Sequence, residues 1–220
     1  MMGWSWRWRR GPLLDAELAD ESGLVAIGGD LRPERLIEAY RHGIFPWYSE
    51  GDPVCWWSPD PRAIFELDHL HFSRRFLRTL RSGCFTCTVD QAFSTVIRGC
   101  ADRAEGTWIL PDMIAAYERL HQLGLAHSIE VWRDGSLAGG LYGVAMAGFF
   151  AGESMFTRGR DGSKVALAYL VERLRERGFL LFDTQFLTPH TARLGAIEIP
   201  RSEYLTRLEI ALAQRSVTFV

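Results

Sequence analysis

The 220-residue sequence has few cysteines and no strong excess of either charge. Its 25 Lys and Arg residues face 27 Asp and Glu residues, which excludes a uniformly basic nucleic-acid-binding protein but leaves room for a local basic patch. Four cysteines are too few for a disulfide scaffold. Cys84 and Cys87 form a C-x-x-C pair, but no second pair follows at zinc-site spacing. We interpret them as small buried thiols beside a strand, with metal binding as the open alternative.

Several catalytic motifs are also missing from the sequence. It contains no Walker A loop, no G-x-S-x-G and no H-E-x-x-H. Residues 158–164 (RGRDGSK) precede a predicted helix where an acetyl-CoA loop would stand, but they do not match that loop's Gln/Arg-x-x-Gly-x-Gly/Ala pattern. We therefore expect a donor substrate that is already activated, and no metal, ATP or CoA.

Long apolar runs are interrupted. Residues 135–152 carry no charged side chain, but six glycines divide them, so they predict two buried strands rather than a membrane helix. The first ten residues, rich in Trp and Arg, contain no apolar run of signal-peptide length, and we assign them no role. We expect a soluble, monomeric protein of the cytoplasm with no membrane partner.

The pattern of helix and strand signals divides the chain near residue 62. Residues 1–62 are rich in Gly, Pro and Trp, hold one predicted helix over 32–42, and predict a small N-terminal domain. Residues 63–220 predict, in order, a helix from Ser73, a hairpin around the turn at 133–135, a long helix over 163–177 and a buried strand over 179–186. This order predicts an α/β (α+β) fold with a mixed sheet covered by helices, the layout of GNAT acyltransferases.

Two carboxylates and one amide are the candidate catalytic groups. Asp183 and Gln185 stand at i and i+2 late in an apolar strand, so we expect their side chains to share a face. The carboxylate would then accept a hydrogen bond from the amide and polarise it. Glu153 ends the uncharged run and could hold a cationic amine. The competing interpretation is a polar strand end that caps a loop.

Aromatic and basic residues suggest nucleic-acid contacts. Trp47 and Trp108 could stack on bases, at about 1–3 kcal/mol per base, although most Trp residues only pack in cores. Arg74, Arg78 and Arg81, here called the basic stripe, repeat at i, i+4 and i+7, with no carboxylate between residues 73 and 89. They suit phosphate contacts, or else form an ordinary solvated helix face.

Nine short segments stand in a fixed order along most of the chain. They are 23–31 (GLVAIGGDL), 43–47 (GIFPW), 56–62 (WWSPDPR), 105–108 (EGTW), 139–143 (GGLYG), 152–156 (GESMF), 183–185 (DTQ), 188–190 (TPH) and 194–196 (LGA). Each segment is weak alone, but the ordered set is specific, and it resembles the bacterial leucyl/phenylalanyl-tRNA–protein transferase family from about residue 23 to about residue 204.

The resemblance implies a small N-terminal domain on a GNAT-like domain that transfers Leu, Phe or Met from aminoacyl-tRNA to proteins beginning with Arg or Lys, marking them for N-end-rule degradation. It implies that Gln185 and Asp183 are catalytic with Glu153 nearby, that Trp47 and Trp108 flank the 3′-terminal adenine, and that the basic stripe meets the acceptor stem. The implied aminoacyl pocket consists of Leu141, Phe150, Met155 and Leu170. One departure is Thr184, where the family more often has Cys.

Two other functions compete with this one. The first is an N-acetyltransferase that uses acetyl-CoA, which the missing CoA loop disfavours. The second is a non-catalytic adaptor in which Asp183, Gln185 and Glu153 bind a cationic N-terminus without chemistry. Basic and stacking residues fit that adaptor too, so only turnover separates it from the transferase.

Overall fold

A short 3₁₀ helix (Ala16–Leu18) begins the part of the chain that the computed structural model describes, residues 15–220, and a small antiparallel sheet follows it. Its strands are β1 (Leu24–Ile27), β2 (Phe45–Pro46) and β3 (Cys55–Trp57), with β3 in the middle. Prolines in the segment that holds β2 and β3 limit both strands to two or three residues. The Trp- and Arg-rich first ten residues lie outside the described residues.

The helix α1 (Pro33–Arg41) confirms the sequence prediction for this region. Pro33 occupies its first turn, and Gly43 follows its end with φ +73°, a conformation that favours glycine. The buried face of α1 carries Leu36, Ala39 and Tyr40. This face packs against the core, so the side chain of Tyr40 lies in the interior.

A seven-stranded sheet forms the rest of the molecule. Its order is β10-β4-β9-β8-β7-β6-β5, and every neighbouring pair is antiparallel except β8 and β9. The strands are β4 (Arg62–Phe65), β5 (Thr86–Val89), β6 (Ala126–Arg133), β7 (Ser136–Met146), β8 (Phe149–Thr157), β9 (Leu181–Gln185) and β10 (Ala196–Ile199). The helices are α2 (Arg74–Arg81), α3 (Phe93–Ala101), α4 (Pro111–Gln122), α5 (Gly162–Arg177), α6 (Pro189–Arg193) and α7 (Arg201–Leu212).

Helices cover both faces of this sheet, which confirms the predicted mixed sheet with helical cover. One buried cluster joins α1, α3, α4 and α7 to one face, through residues such as Leu36, Tyr117 and Tyr204. A second cluster joins α2 and α5 to the other face, through residues such as Phe76 and Leu170. Because the first cluster includes residues from both sides of residue 62, a division of the chain at that position stays a prediction.

Close backbone approach explains Gly139 of the uncharged run and Gly162 at the start of α5. A Cβ on Gly139 of β7 would lie 2.7 Å from the carbonyl carbon of Gly162, the first residue of α5. A Cβ on Gly162 would lie 2.3 Å from the carbonyl oxygen of Ala138. The start of α5 therefore packs directly on β7. The two predicted glycine-bearing strands, β7 and β8, are confirmed. Within residues 15–220, no helix is both long and apolar enough to cross a membrane.

A gap opens where β8 and β9 separate. Their parallel pairing runs only from Phe149 and Leu181 to Ala151 and Asp183. On its other edge β8 has a bulge: Tyr142 pairs with Ser154, Gly143 pairs with Gly152, and Glu153 is the extra residue. Splaying and bulge together place Glu153 and the end of β9 around one opening in the sheet.

The sequence patterns did not predict α7. Its buried residues Tyr204, Leu208 and Ala211 follow an i, i+4, i+7 spacing, a helical signal that could have found it.

Candidate active site

Two adjoining cavities lie at the gap between β8 and β9. The first, called the aromatic cleft, has a volume of about 350 Å³, and Trp47, Trp108 and Phe186 line it. The second, called the deep pocket, has a volume of about 430 Å³ and reaches between the sheet and α5. Residues common to both are Trp108, Glu153, Thr184, Gln185, Phe186 and Thr188. Glu153 and Gln185 therefore form a shared wall that faces both cavities.

Glu153 is the acidic residue of this wall, and its pKa is strongly shifted. Its carboxylate accepts hydrogen bonds from the hydroxyls of Tyr40 at 2.7 Å and Tyr117 at 3.1 Å, and from Gln185 Nε2 at 3.1 Å. Burial raises the pKa of Glu153 to about 7, the two tyrosine hydrogen bonds oppose that rise, and the charge of Asp183 adds to it. A carboxyl group with this pKa exchanges its proton readily near neutral pH.

Gln185 ends β9 in a left-handed conformation, with φ +61°. Its Nε2 donates to Glu153, and within residues 15–220 its Oε1 accepts no hydrogen bond. The backbone N–H of Gln185 donates to Asp183 Oδ1 at 2.9 Å. The structure thus fixes both the backbone and the amide of Gln185 and leaves an acceptor oxygen at the shared wall.

Asp183 is fully buried and held by other partners. Arg62 donates to its two carboxylate oxygens at 2.8 and 2.6 Å, and the Tyr204 hydroxyl donates at 2.9 Å. Arg62 Nη1 also donates to the Gly43 carbonyl at 2.9 Å. This buried pair therefore ties β4, β9, α7 and the end of α1 together.

The predicted hydrogen bond from the Gln185 amide to Asp183 is wrong. The i and i+2 rule holds for extended backbone, and the left-handed φ of Gln185 breaks that alternation at the strand end. Glu153 orients the amide instead, and Asp183 acts on the backbone N–H.

Sequence reasoning missed four residues of this network: Arg62, Tyr40, Tyr117 and Tyr204. The arginine closes a Pro-rich segment and gave no sign that it would be buried. The tyrosines lie on the buried faces of α1, α4 and α7, but helical periodicity does not reveal which carboxylate a buried hydroxyl meets.

The structure brings the two predicted stacking residues to one cavity. Trp47 is 42% exposed, with its ring 5.5 Å from Phe186 and 6.0 Å from Trp57. Trp57 also donates a hydrogen bond from its indole to the Trp47 carbonyl at 2.6 Å. Trp47 and Trp108 both line the aromatic cleft, which gives it the aromatic surface that a planar base requires.

The deep pocket contains three of the four predicted aminoacyl-pocket residues. Leu141, Met155 and Leu170 line it. Phe150 is not among the lining residues: it is fully buried and packs against Phe182, a pocket residue, at 5.6 Å between ring centroids. Phe150 therefore supports the wall from behind, because its neighbour Phe182 takes the position facing the pocket.

The basic stripe lies on the exposed side of α2. Phe76 anchors the helix in the core, and Ser73 caps it by accepting a hydrogen bond from the Phe76 N–H at 3.2 Å, as predicted. Among the described residues, no carboxylate lies within 4.0 Å of the guanidinium groups of the stripe. These charges are free to meet an anion outside the protein.

The cysteines and acids give no indication of a metal centre. All four cysteines are free. The predicted burial of the C-x-x-C thiols is wrong for Cys84, which is exposed in the segment between α2 and β5, whereas Cys87 is half-buried and burial raises the pKa of its thiol to about 11. In the described part of the chain, no three His, Cys, Asp or Glu residues stand close enough together to hold an ion.

Comparison with known proteins places the chain in a family. The family model of the leucyl/phenylalanyl-tRNA protein transferase matches residues 64–209, and the model of its N-terminal domain matches residues 29–60. Solved structures with a partial likeness include a GCN5-related N-acetyltransferase from Kribbella flavida, 14% identical with a TM-score of 0.38, over 76% of this chain and 60% of that chain. So low a score adds nothing about activity.

Full-length relatives are far more similar. A leucyl/phenylalanyl-tRNA–protein transferase from Stutzerimonas stutzeri is 53% identical, over 93% of this chain and 92% of the relative. The corresponding protein of Alkalilimnicola ehrlichii is also 53% identical, over 92% and 81%. That of Citrobacter koseri is 51% identical, over 93% and 88%. The chain belongs to the leucyl/phenylalanyl-tRNA–protein transferase family.

Proposed function

We propose that this protein is an aminoacyltransferase that moves Leu, Phe or Met from aminoacyl-tRNA to the N-terminal Arg or Lys of acceptor proteins. The new N-terminal residue marks those proteins for N-end-rule degradation. The reaction needs no metal, ATP or CoA, because the ester of the charged tRNA is already reactive. We place it in the cytoplasm, where charged tRNA is available. Membership of the family supports this proposal.

The shared wall of Glu153 and Gln185 between two cavities is the observation that carries the proposal. An aminoacyl-adenosine has two parts, a planar base and an amino-acid side chain, joined through a ribose ester. The adenine stacks in the aromatic cleft between Trp47 and Trp108, and the side chain enters the deep pocket. The ester carbonyl then lies at the wall, next to the groups that can bind an incoming amine.

The acceptor amine binds at the Gln185 Oε1 oxygen, which accepts no hydrogen bond from the described part of the chain. One N–H of the amine donates to Oε1 of Gln185, which aims the nitrogen lone pair at the ester carbonyl. The Glu153 carboxylate takes the proton that the amine loses. The pKa of Glu153, about 7, lies close to the value of about 7.7–8.0 for an α-amino group, so this transfer is nearly balanced.

The bond changes of the transfer are simple. A C–N bond forms between amine and carbonyl, the C–O bond to the ribose breaks, and the leaving ribose oxygen receives the proton that Glu153 accepted. The two tyrosines that donate to Glu153 hold its carboxylate in place during this exchange. Asp183 takes no part in the proton transfer, because Arg62, Tyr204 and the Gln185 backbone N–H occupy its oxygens. Its role is to position Gln185.

Apolar walls select the transferred residue. Leu141, Met155 and Leu170 favour Leu, Phe and Met, since a polar side chain would lose its hydration there without gaining partners. Among apolar side chains the pocket discriminates less, because one methylene changes binding by only about 1–3 kcal/mol.

The test offers a peptide beginning with Arg to two donors in separate reactions, Leu-tRNA and acetyl-CoA, and measures the mass of the peptide. A leucyl group gained from Leu-tRNA alone is the expected result. An acetyl group gained from acetyl-CoA would establish the acetyltransferase alternative. If the folded protein transfers nothing from Leu-, Phe- or Met-tRNA, the proposal fails and the adaptor alternative takes its place.

A further inference from the structure

A third cavity adjoins the deep pocket on the side of α2. It has a volume of about 280 Å³ and is called here the basic cavity. Its wall combines residues from three elements and the segment before α2: His71, Phe72, Ser73, Phe76, Lys164, His190, Arg193 and Leu194. His190 also lines the deep pocket, so the two cavities share a wall. No step of the proposed reaction uses the basic cavity.

Positive charge collects in this cavity with little to neutralise it. Lys164 approaches Asp161 only to 3.8 Å, and Arg193 has no carboxylate within 4.0 Å among the described residues. Burial lowers the pKa of His190, and the charges of Arg193 and Lys164 add to that effect. All three side chains line the basic cavity, so both cations face the same space.

The position of the cavity fits the path of a nucleic-acid strand. Ser73 lines it and caps α2, and Arg74, the first residue of the basic stripe, follows immediately. Cationic groups therefore continue from the edge of the deep pocket, through Lys164 and Arg193, to the exposed face of α2. A strand whose last nucleotide is seated beside the shared wall can meet these cations, because the basic cavity and the deep pocket share His190.

We propose that the basic cavity binds the phosphodiester groups of the single-stranded 3′ end of the donor tRNA, between the terminal adenosine and the acceptor stem. This inference rests on the proposed function and names a part of its substrate site. Lys164 meets a phosphate as a point charge, and Arg193 can meet one with two parallel N–H groups. Such contacts fix the register of the strand without reading its sequence.

The experiment compares three leucylated donors: adenosine, which has no phosphate; the trinucleotide CCA, which has the internal phosphates of the 3′ end; and full tRNA. The test variant is Lys164→Ala with Arg193→Ala. The control variant, Arg177→Ala with Arg215→Ala, also removes two exposed cations, but neither of them lines the basic cavity.

For the test variant we expect kcat/KM to fall about tenfold or more with leucyl-CCA and leucyl-tRNA, through KM, because two charge-assisted contacts to phosphate are lost. Transfer from leucyl-adenosine should stay unchanged, and the control should match the wild type with all three donors. Lys164→Arg with Arg193→Lys, which keeps both charges, should recover most of the loss.

Three results would overturn the inference. An equal loss with leucyl-adenosine would show a structural defect rather than a phosphate site. A loss with full tRNA alone would move the contact to the stem. No loss with any donor would leave the cavity without this role. If the wild-type protein itself used none of the donors, the proposed function would fail as well, and that outcome is visible before any variant is compared.

Discussion

Replacing Asp183 with Asn tests the buried pair that positions the reaction centre. The change keeps the size of the side chain and removes its charge. Every group around Asp183 is a donor: Arg62 at 2.8 and 2.6 Å, the Tyr204 hydroxyl at 2.9 Å and the backbone N–H of Gln185 at 2.9 Å. An amide offers one acceptor oxygen to these donors and turns its NH₂ toward at least one of them, which leaves the Arg62 charge buried without a counterion.

The size of the effect follows from burial. Removing one partner of a buried ion pair lowers the free energy of unfolding by about 3–5 kcal/mol. For a chain of this length, each kcal/mol shifts the melting temperature by about 2–4 °C, so we expect a decrease of roughly 6–20 °C. Turnover should also decrease at temperatures where the variant is still folded. The reason is that the Gln185 backbone loses the acceptor that holds its left-handed conformation.

Thermal unfolding followed by circular dichroism measures the first effect, and single-turnover transfer from leucyl-tRNA at 20 °C below the melting temperature measures the second. Asp134→Asn is the matched control, since Asp134 is exposed in the β6–β7 turn, where Asn tolerates its positive φ of 50°. It should change stability by less than about 0.5 kcal/mol. If the melting temperature of Asp183→Asn stayed within a degree of the wild type, the Arg62–Asp183 pair would not stabilise the fold as expected.

Three further predictions concern the wall, the basic stripe and the deep pocket. Glu153→Gln should remove the pKa of about 7 from the pH profile of kcat/KM, leaving the rise set by the acceptor amine at about 7.7–8.0, and should flatten the pH dependence of denaturant unfolding. The wild type, whose Glu153 pKa is raised in the folded state, should lose stability as pH rises toward and through 7, and identical profiles of the two proteins would contradict this. Changing the whole basic stripe to Ala should reduce the salt slope of tRNA binding by about 0.7–0.9 per lost phosphate contact, whereas an unchanged slope would make it a solvated face. Phe150→Ala should lower the free energy of unfolding by about 3–5 kcal/mol and leave the ratio of Leu to Phe transfer unchanged. Leu141→Ala, in the pocket wall, should shift that ratio toward Phe. The reverse pattern would place Phe150 in the pocket wall.

Local signals predicted the elements that local chemistry controls. Pro33 and Gly43 bracket α1, Ser73 caps α2, and glycine spacing separates the strands β7 and β8. Each of these signals acts on its own segment, through a fixed φ, a cap or a close backbone contact, so it can be read without the rest of the chain.

The hydrogen bonds of the site join segments that are distant in the sequence, and the sequence did not predict them. The resemblance named Asp183, Gln185 and Glu153 together, and the structure brings them together. The resemblance could not show that Arg62, 121 positions away, donates to both oxygens of Asp183. Nor could it show that Gln185 ends the strand in a left-handed conformation. A carboxylate chooses its partner by three-dimensional proximity, which no spacing rule along the chain contains.

Transfer of an amino acid from tRNA to a selected N-terminus can be measured directly. Radiolabelled leucyl-tRNA is incubated with the protein and with peptides that begin with Arg or with Gly but are otherwise identical, without ATP or CoA. We expect label on the Arg peptide alone. Equal labelling of both peptides would contradict the acceptor rule, and no labelling by folded protein would contradict the activity itself.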